Sequence, residues 1–361
     1  MNLNNIKFEK MTSSSQYQVI NNLWNDVVKV DGFYKPLDLN EHINKLESIN
    51  GFSFEGTILA FDNDELIGMG IGILKSPGVG AINCILVKHE YRNNKVGEKI
   101  LKQLENYFKE KGCTTVFAYG YLPSCYGWYI PRFDKHDHPC APGIRVNSPE
   151  YLFLIKHRYE ASGFQEAFHL NLSDYELPSD IKDILERNEK DGITIELYDP
   201  NKHYGIEEFY QELNIYDFEK VIRDNLSLEK PYPFLVISDK GKIVGWTGAL
   251  WNEESGRGHF DGIANLASVR GRGLGKALFA LLGYHSKLNG AKFMTFYTGS
   301  TNHAKYIYQG AGFKIVQTFA PESRAYSQSL GLTSQLLCAK ELTFPHPITG
   351  QELTICSRMT V

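Results

Sequence analysis

The chain has 361 residues with a net charge of −4 and a pI near 6.3. That length predicts two domains of roughly 150 to 200 residues. The acidic balance, with no long run of lysine and arginine, argues against a nucleic-acid partner. No apolar run approaches the ~20 residues a membrane span needs, and MNLNNIKFEK lacks the apolar core of a secretory signal, so no membrane partner and a cytoplasmic location are expected. Cys84, Cys113, Cys125, Cys140, Cys338 and Cys356 form no C-x-x-C pair and read as reduced thiols.

In chain order, the first half opens with a strand and then the helix pattern QYQVINNLWNDVV, followed by a second helix within LNEHINKLESI. GTILAFDNDELIGMGIGIL, 56 to 74, gives two β-branched runs broken by a polar turn, an antiparallel hairpin. YRNNKVGEKILKQLENYFKEKGC, from Tyr91, is a turn entering an amphipathic helix, and TTVFAYG is the strand after it. The segment 120–150 is rich in Pro, Gly and aromatics and reads as an insertion, a lid or wall over a substrate cleft with Trp128, Tyr129 and Phe133 as contact surface. His136, Asp137, His138 and Cys140 lie close together there, but these spacings lack the framework that fixes metal geometry. A structured loop and no metal site are expected. YEASGF, from Tyr159, closes the half.

LPSDIKDILERNEKDG, 177 to 192, reads as a linker with a short helix. The second half repeats the order. YGIEEFYQEL and FEKVIRDNLS are its helices, YPFLVISDKGKIVGWTGAL its hairpin, and VRGRGLGKALFALLGYHSKLNGA its glycine turn and helix. KFMTFYTG is the following strand, YQGAGF the counterpart of YEASGF, and TFPHPITGQELTI a terminal hairpin. At an offset of 178 residues Arg92 matches Arg270, Gly97 matches Gly275 and Gly112 matches Gly290. Tyr159, Gly163 and Phe164 match Tyr308, Gly312 and Phe313. Two mixed α/β domains follow: 1–176 with the insertion 120–150, a linker 177–192, and 193–361.

The glycine turn carries the chemistry. Leu274, Leu278, Leu281, His285 and Leu288 mark one apolar helical face, so the turn sits at a helix N-terminus. Unpaired amides and the helix dipole there favour a phosphate or pyrophosphate. Gly271, Gly273 and Gly275 remove side chains that would hold an anion off the backbone, and Arg270 and Lys276 add charge.

At Arg270-x-x-Gly273-x-Gly275, and again at Ala304, Tyr308, Gly312 and Phe313, the chain resembles the GNAT N-acetyltransferase superfamily in a tandem arrangement. The resemblance implies two acyl-coenzyme A N-acyltransferase folds and acetyl-coenzyme A as cofactor. It also implies that Gly271, Arg272, Gly273, Leu274, Gly275 and Lys276 hold the pyrophosphate. The pantetheine arm would then pair with the backbone of Leu266, Ala267 and Ser268. By the same resemblance Tyr308 is the general acid toward the departing sulfur, and Asn302, beside Thr301, lies near a cofactor-touching position. His259 and Asp261 share a face and are the candidate general bases.

Two departures from the family pattern stand out. Lys95 replaces a turn glycine in the first half, which marks that half as a weakened or vestigial site. The connection from Ser268 to Arg270 is two residues against five from Val87 to Arg92. The resulting expectation is acetyl transfer to a primary amine of a small molecule or peptide, with the C-terminal domain catalytic. The alternatives are a non-catalytic acyl-coenzyme A sensor or a scaffold. Acceptor and oligomeric state are not legible.

Overall fold

The computed structural model describes residues 6–118 and 126–321, and the backbone of strands 323–326, 341–345 and 352–356. In the first half β1 (Ile6–Lys10) leads to α1 (Tyr17–Asp31) and α2 (Leu39–Glu47). The hairpin β2 (Thr57–Asp62) and β3 (Glu65–Ser76) continues into β4 (Val79–Val87), α3 (Val96–Glu110) and β5 (Thr115–Ala118). The inserted segment holds β6 (Trp128–Tyr129), β7 (Asp137–His138) and β8 (Ile144–Arg145), and α4 (Pro149–Lys156), β9 (Glu160–Ala161) and β10 (Gln165–Asn171) follow.

After α5 (Ile181–Glu189), the second half runs β11 (Ile193–Leu197), α6 (Ile206–Leu213), α7 (Tyr216–Leu226), β12 (Leu235–Asp239) and β13 (Lys242–Gly248). It continues through β14 (Arg257–Gly258), β15 (Gly262–Asn265), α8 (Leu274–Leu288), β16 (Phe293–Gly299), α9 (Lys305–Gly310), β17 (Lys314–Ala320) and β18 (Ser323–Tyr326). Residues 326–361 form a separate unit. Its β19 (Glu341–Pro345) and β20 (Glu352–Cys356) pair antiparallel, as the terminal hairpin reading expects, with the intervening residues outside those described.

Local chemistry sets these boundaries. Asp38 caps α2 by accepting the Asn40 amide at 2.8 Å, and α1 stops at Gly32, whose φ of +64° is left-handed. Helix α3 lays Ile100, Leu104 and Phe108 on the sheet so closely that a Cβ at Gly70 would lie 2.4 Å from Ile100, and one at Gly80 2.4 Å from Phe108. Only glycine permits that approach.

The strand order crosses the midpoint of the chain. One sheet runs β1-β2-β3-β4-β5-β18-β9, a second β11-β12-β13-β15 and a third β14-β16-β10-β17-β8. Thus β10, from the first half, lies antiparallel between β16 and β17 of the second. Conversely β18, from the second half, lies between β5 and β9 of the first. Each half lends one strand, β10 or β18, to a sheet of the other, so the segment 1–176 does not close on itself. Phe33, Trp128, Ala167 and Phe319 form a small core cluster drawn from both halves.

Candidate active site

The two halves agree residue for residue at the offset of 178: β4 and β5 correspond to β14–β15 and β16, and α3 to α8. This register corrects one reading. The fourth strand of the second half ends at Asn265, and Ala267–Val269 is a single 3-10 turn like His89–Tyr91. The two strand-to-turn connections are therefore equal in length. Leu266 donates its amide to Val244 at 2.9 Å, as Lys88 does to Ile67 at 2.9 Å, so Leu266 is spent on the neighbouring strand and unavailable to a ligand. The two-residue period turns the amides of Ile85 and Val87 to the opposite edge.

Both turns also share a backbone path. Gly271 and Gly273 have φ of +77° and +79°, and Asn93 and Lys95 take the same left-handed conformation at +61°. Lysine at position 95 does not distort the turn; its backbone accepts the strain.

Downstream, the match shifts by five residues. Arg158, with φ +67°, occupies the place of Gly312, with φ +99°. The Tyr159 amide bonds Leu154 at 3.0 Å as the Phe313 amide bonds Tyr308 at 3.1 Å. Leu154, rather than Tyr159, is therefore the counterpart of Tyr308. Phe153 correspondingly faces Gly97 where Ile307 faces Gly275.

A cleft of about 770 Å3 opens in the first half. It runs from the turn residues Asn93, Lys95 and Gly97 along the free edge of β4 to Ile82 and Ala118, with Phe153 and Leu154 opposite and Tyr34, Ile144, Arg145 and Glu150 along its wall. Among the described residues β4 and β5 pair in parallel from Val79–Ile82 to Thr115–Ala118, and the rest of β4, from Asn83 to Val87, lines the cleft. Arg92 braces the turn: it grips Asp31 with both Nη atoms at 2.9 and 2.7 Å and donates Nε to Val87 O at 3.1 Å. Lys95 is exposed and forms no ion pair among the described residues. Burial pushes the Cys84 thiol up to about 12, which makes it inert. Burial, followed by the Glu150 carboxylate, raises Tyr34 far above an ordinary phenol although Arg145 opposes the shift.

The residues expected to form the site lie in the second half, where α5 packs beside their turn while Gly271 and Gly273 stay exposed. Lys276 pairs with Asp180 at 2.6 Å and Arg272 with Asp191 at 2.7 Å. Arg187 and Asn188 both donate to Arg272 O, at 2.9 and 3.3 Å, and Ile184 packs at Gly273. Arg270, Ala267, Ser268 and Gly271 are exposed, and Leu274 is core. Asn302 is engaged locally, accepting the Ala304 amide and donating to Thr298, both at 2.9 Å.

Tyr308 sits among rings, 4.6 Å from Phe279, 4.7 Å from Phe296 and 5.5 Å from Phe168. Burial raises its phenol, which makes it a poorer proton donor than the sequence suggests. His259 and Asp261 do meet, at 2.6 Å, but the ring between them, Phe260, is the one turned toward Tyr308. Asp261 also accepts the Ala249 amide at 2.9 Å, and His259 stacks on Trp251 at 4.1 Å. Burial lowers His259, but bonding to Asp261 and Glu253 outweighs it and leaves the imidazole above its ordinary value. The pair is tied to Ala249, Trp251 and Glu253, while His259 Nδ1 has no hydrogen-bond partner among the described residues.

The insertion is wall rather than contact surface. Trp128 is fully buried and its indole donates to Cys140 O at 3.0 Å. β8 extends the third sheet through Ile144↔Ala320 and Arg145↔Phe319 while the same residues line the cleft. Asp137 is paired with Lys35, and His138 Nδ1 accepts the Cys140 amide at 3.1 Å. The polar groups of that run therefore have protein partners, both within the insertion and outside it at Lys35 and His169. Residues 119–125 lie outside those described.

Two segments, 24–125 and 195–313, match the model of the Acetyltransferase (GNAT) family. The chain belongs to that family, as a tandem member. Among solved structures it is similar to a GCN5-related glucosamine N-acetyltransferase region of a fungal multi-domain GH3 β-N-acetylglucosaminidase, at 14% identity and TM-score 0.56, over 89% of this chain and 38% of that one. The chain thus spans well under half of that protein. It is also similar to a GCN5-related N-acetyltransferase from Sphaerobacter thermophilus, at 17% identity and TM-score 0.52, covering 89% and 96%. A tandem GNAT protein from the clavulanic acid biosynthesis pathway matches at 12% identity and TM-score 0.50, covering 89% and 98%. No curated protein matches the sequence. These likenesses establish the fold, which supports N-acyl transfer in general. Among the described residues no helix is long and apolar enough to cross a membrane.

Proposed function

We propose that the chain transfers an acyl group from a coenzyme A thioester, acetyl-coenzyme A by family resemblance, to a primary amine, and that the first half holds the donor. The open cleft from Lys95 to Ala118 carries this reading. Amides at the start of α3 and the Lys95 ammonium suit a diphosphate. The β4 edge amides of Ile85 and Val87 suit the amide-bearing arm that follows it.

In the reaction the amine nitrogen bonds the carbonyl carbon as the carbon–sulfur bond breaks. Of the two carboxylates lining the cleft, Glu98 is paired with Lys156, and Glu150 is the one proposed to take the amine proton. Leu154 stands where the family tyrosine would be, so the sulfur's proton needs another source. The Tyr34 phenol on that wall is raised by burial as that of Tyr308 is and is no better an acid, so water reaching the open cleft supplies the sulfur's proton.

A second reading keeps the donor at Gly271–Lys276, as the sequence suggests, and the glycines with φ above +75° at that turn favour it. Titration calorimetry separates the two. One coenzyme A per chain is expected, weakened about tenfold or more by Lys95→Glu and unaffected by Gly273→Lys; the reverse pattern supports the second reading. Retained binding without thiol release across an amine panel points to a sensor.

A further inference from the structure

The register between the halves compares the closed end of each cleft position by position. Ile82 corresponds to Phe260, Ala118 to Phe296 and Leu154 to Tyr308. In the second half the three rings close on one another: Phe260 and Phe296 are 4.9 Å apart, Phe296 and Tyr308 4.7 Å, and Phe260 and Tyr308 6.5 Å. In the first half the same positions carry two aliphatic chains and a methyl group, and all three line the cleft. Ile144, from the insertion that the second half lacks, adds a fourth hydrocarbon to that wall. None of the four offers a hydrogen bond, so this end of the cleft rewards apolar surface alone.

We infer that the bay bounded by Ile82, Ala118, Ile144 and Leu154 accepts the hydrocarbon of a linear acyl chain longer than acetyl, and that Ala118 sets the length admitted. The inference rests on the donor site proposed above, because the thioester reaches this bay only if coenzyme A lies along β4. Each further methylene buried there strengthens binding about fourfold. Phenylalanine at position 118 would reproduce the ring that fills the second half.

The test is a calorimetric series on the full chain with coenzyme A, acetyl-, butanoyl- and octanoyl-coenzyme A. Affinity should rise from acetyl to butanoyl by about tenfold or more. In Ala118→Phe the butanoyl-to-acetyl ratio should fall toward one, with a melting curve to establish that the variant is folded. The wild-type series needs no variant and stands by itself: equal or falling affinity with chain length overturns the inference while leaving the donor site intact. A ratio unchanged in folded Ala118→Phe overturns the role of that residue. Failure of coenzyme A itself to bind would bring down the donor site and this inference with it.

Discussion

Lys95 is the residue on which the proposed donor site turns. A side chain at φ +61° costs about 1–2 kcal/mol relative to glycine, and the equivalent Gly273 avoids that strain. Lys95→Gly should therefore raise unfolding free energy by about 1 kcal/mol while weakening coenzyme A two- to fivefold through loss of an exposed cation. Paired melting and titration measurements check both, and a variant that gains stability and keeps its affinity removes Lys95 from the site. Tyr308 makes the opposite case. Its hydroxyl has no hydrogen-bond partner among the described residues, so Tyr308→Phe should leave thiol release within about twofold of wild type. A drop of a hundredfold would return catalysis to the second half. The turn, its helix and the repeat were all legible in the residues. Which half holds the cleft was not, because side-chain volume at paired positions such as Ala118 and Phe296 is not encoded in the glycine pattern.

At the scale of elements, α5 decides the fate of the second turn. LPSDIKDILERNEKDG reads as a linker with a short helix, and a helix forms there. What its sequence conceals is that Asp180 and Asp191 reach Lys276 and Arg272, because pairing partners 81 and 96 residues apart have no local signature. Both carboxylates are exposed, so solvent screens the two pairs and neither adds much to stability. Asp180→Asn with Asp191→Asn should lower stability only slightly, and should still bind one coenzyme A per chain because the rings around Tyr308 remain. A second binding event in calorimetry would show that the carboxylates alone had closed the turn. The two-residue connection from Ser268 to Arg270 fails for a related reason: Ala267–Val269 form a 3-10 turn dictated by the helix that follows, so the strand ends earlier, at Asn265.

At the scale of the molecule, buried histidines link folding to pH. Burial, then Lys45, holds His42 down to about 4; burial, then Arg257, holds His138 to about 3; burial, then His136, holds His169 to about 3. Each stays neutral in the fold but takes a proton near 6.5 once unfolded. Their stabilisation is complete above pH 6.5 and is lost progressively as pH falls from there toward 4 to 3. Melting temperature should decline across pH 7 to 5, and a flat profile would contradict these environments. His136 and His169 also bond each other at 2.9 Å, between the insertion and β10, so acid should strike where the two halves meet.

The lent strands imply something about how the polypeptide tolerates cutting. A protease nick between β10 and α5 would sever the backbone, yet each fragment would still thread the other's sheet by β10 or β18. The nicked material should migrate as one particle on a sizing column, and the two pieces made separately should be insoluble or unfolded until mixed. A lone fragment that is soluble and melts cooperatively would mean that the interlock is dispensable.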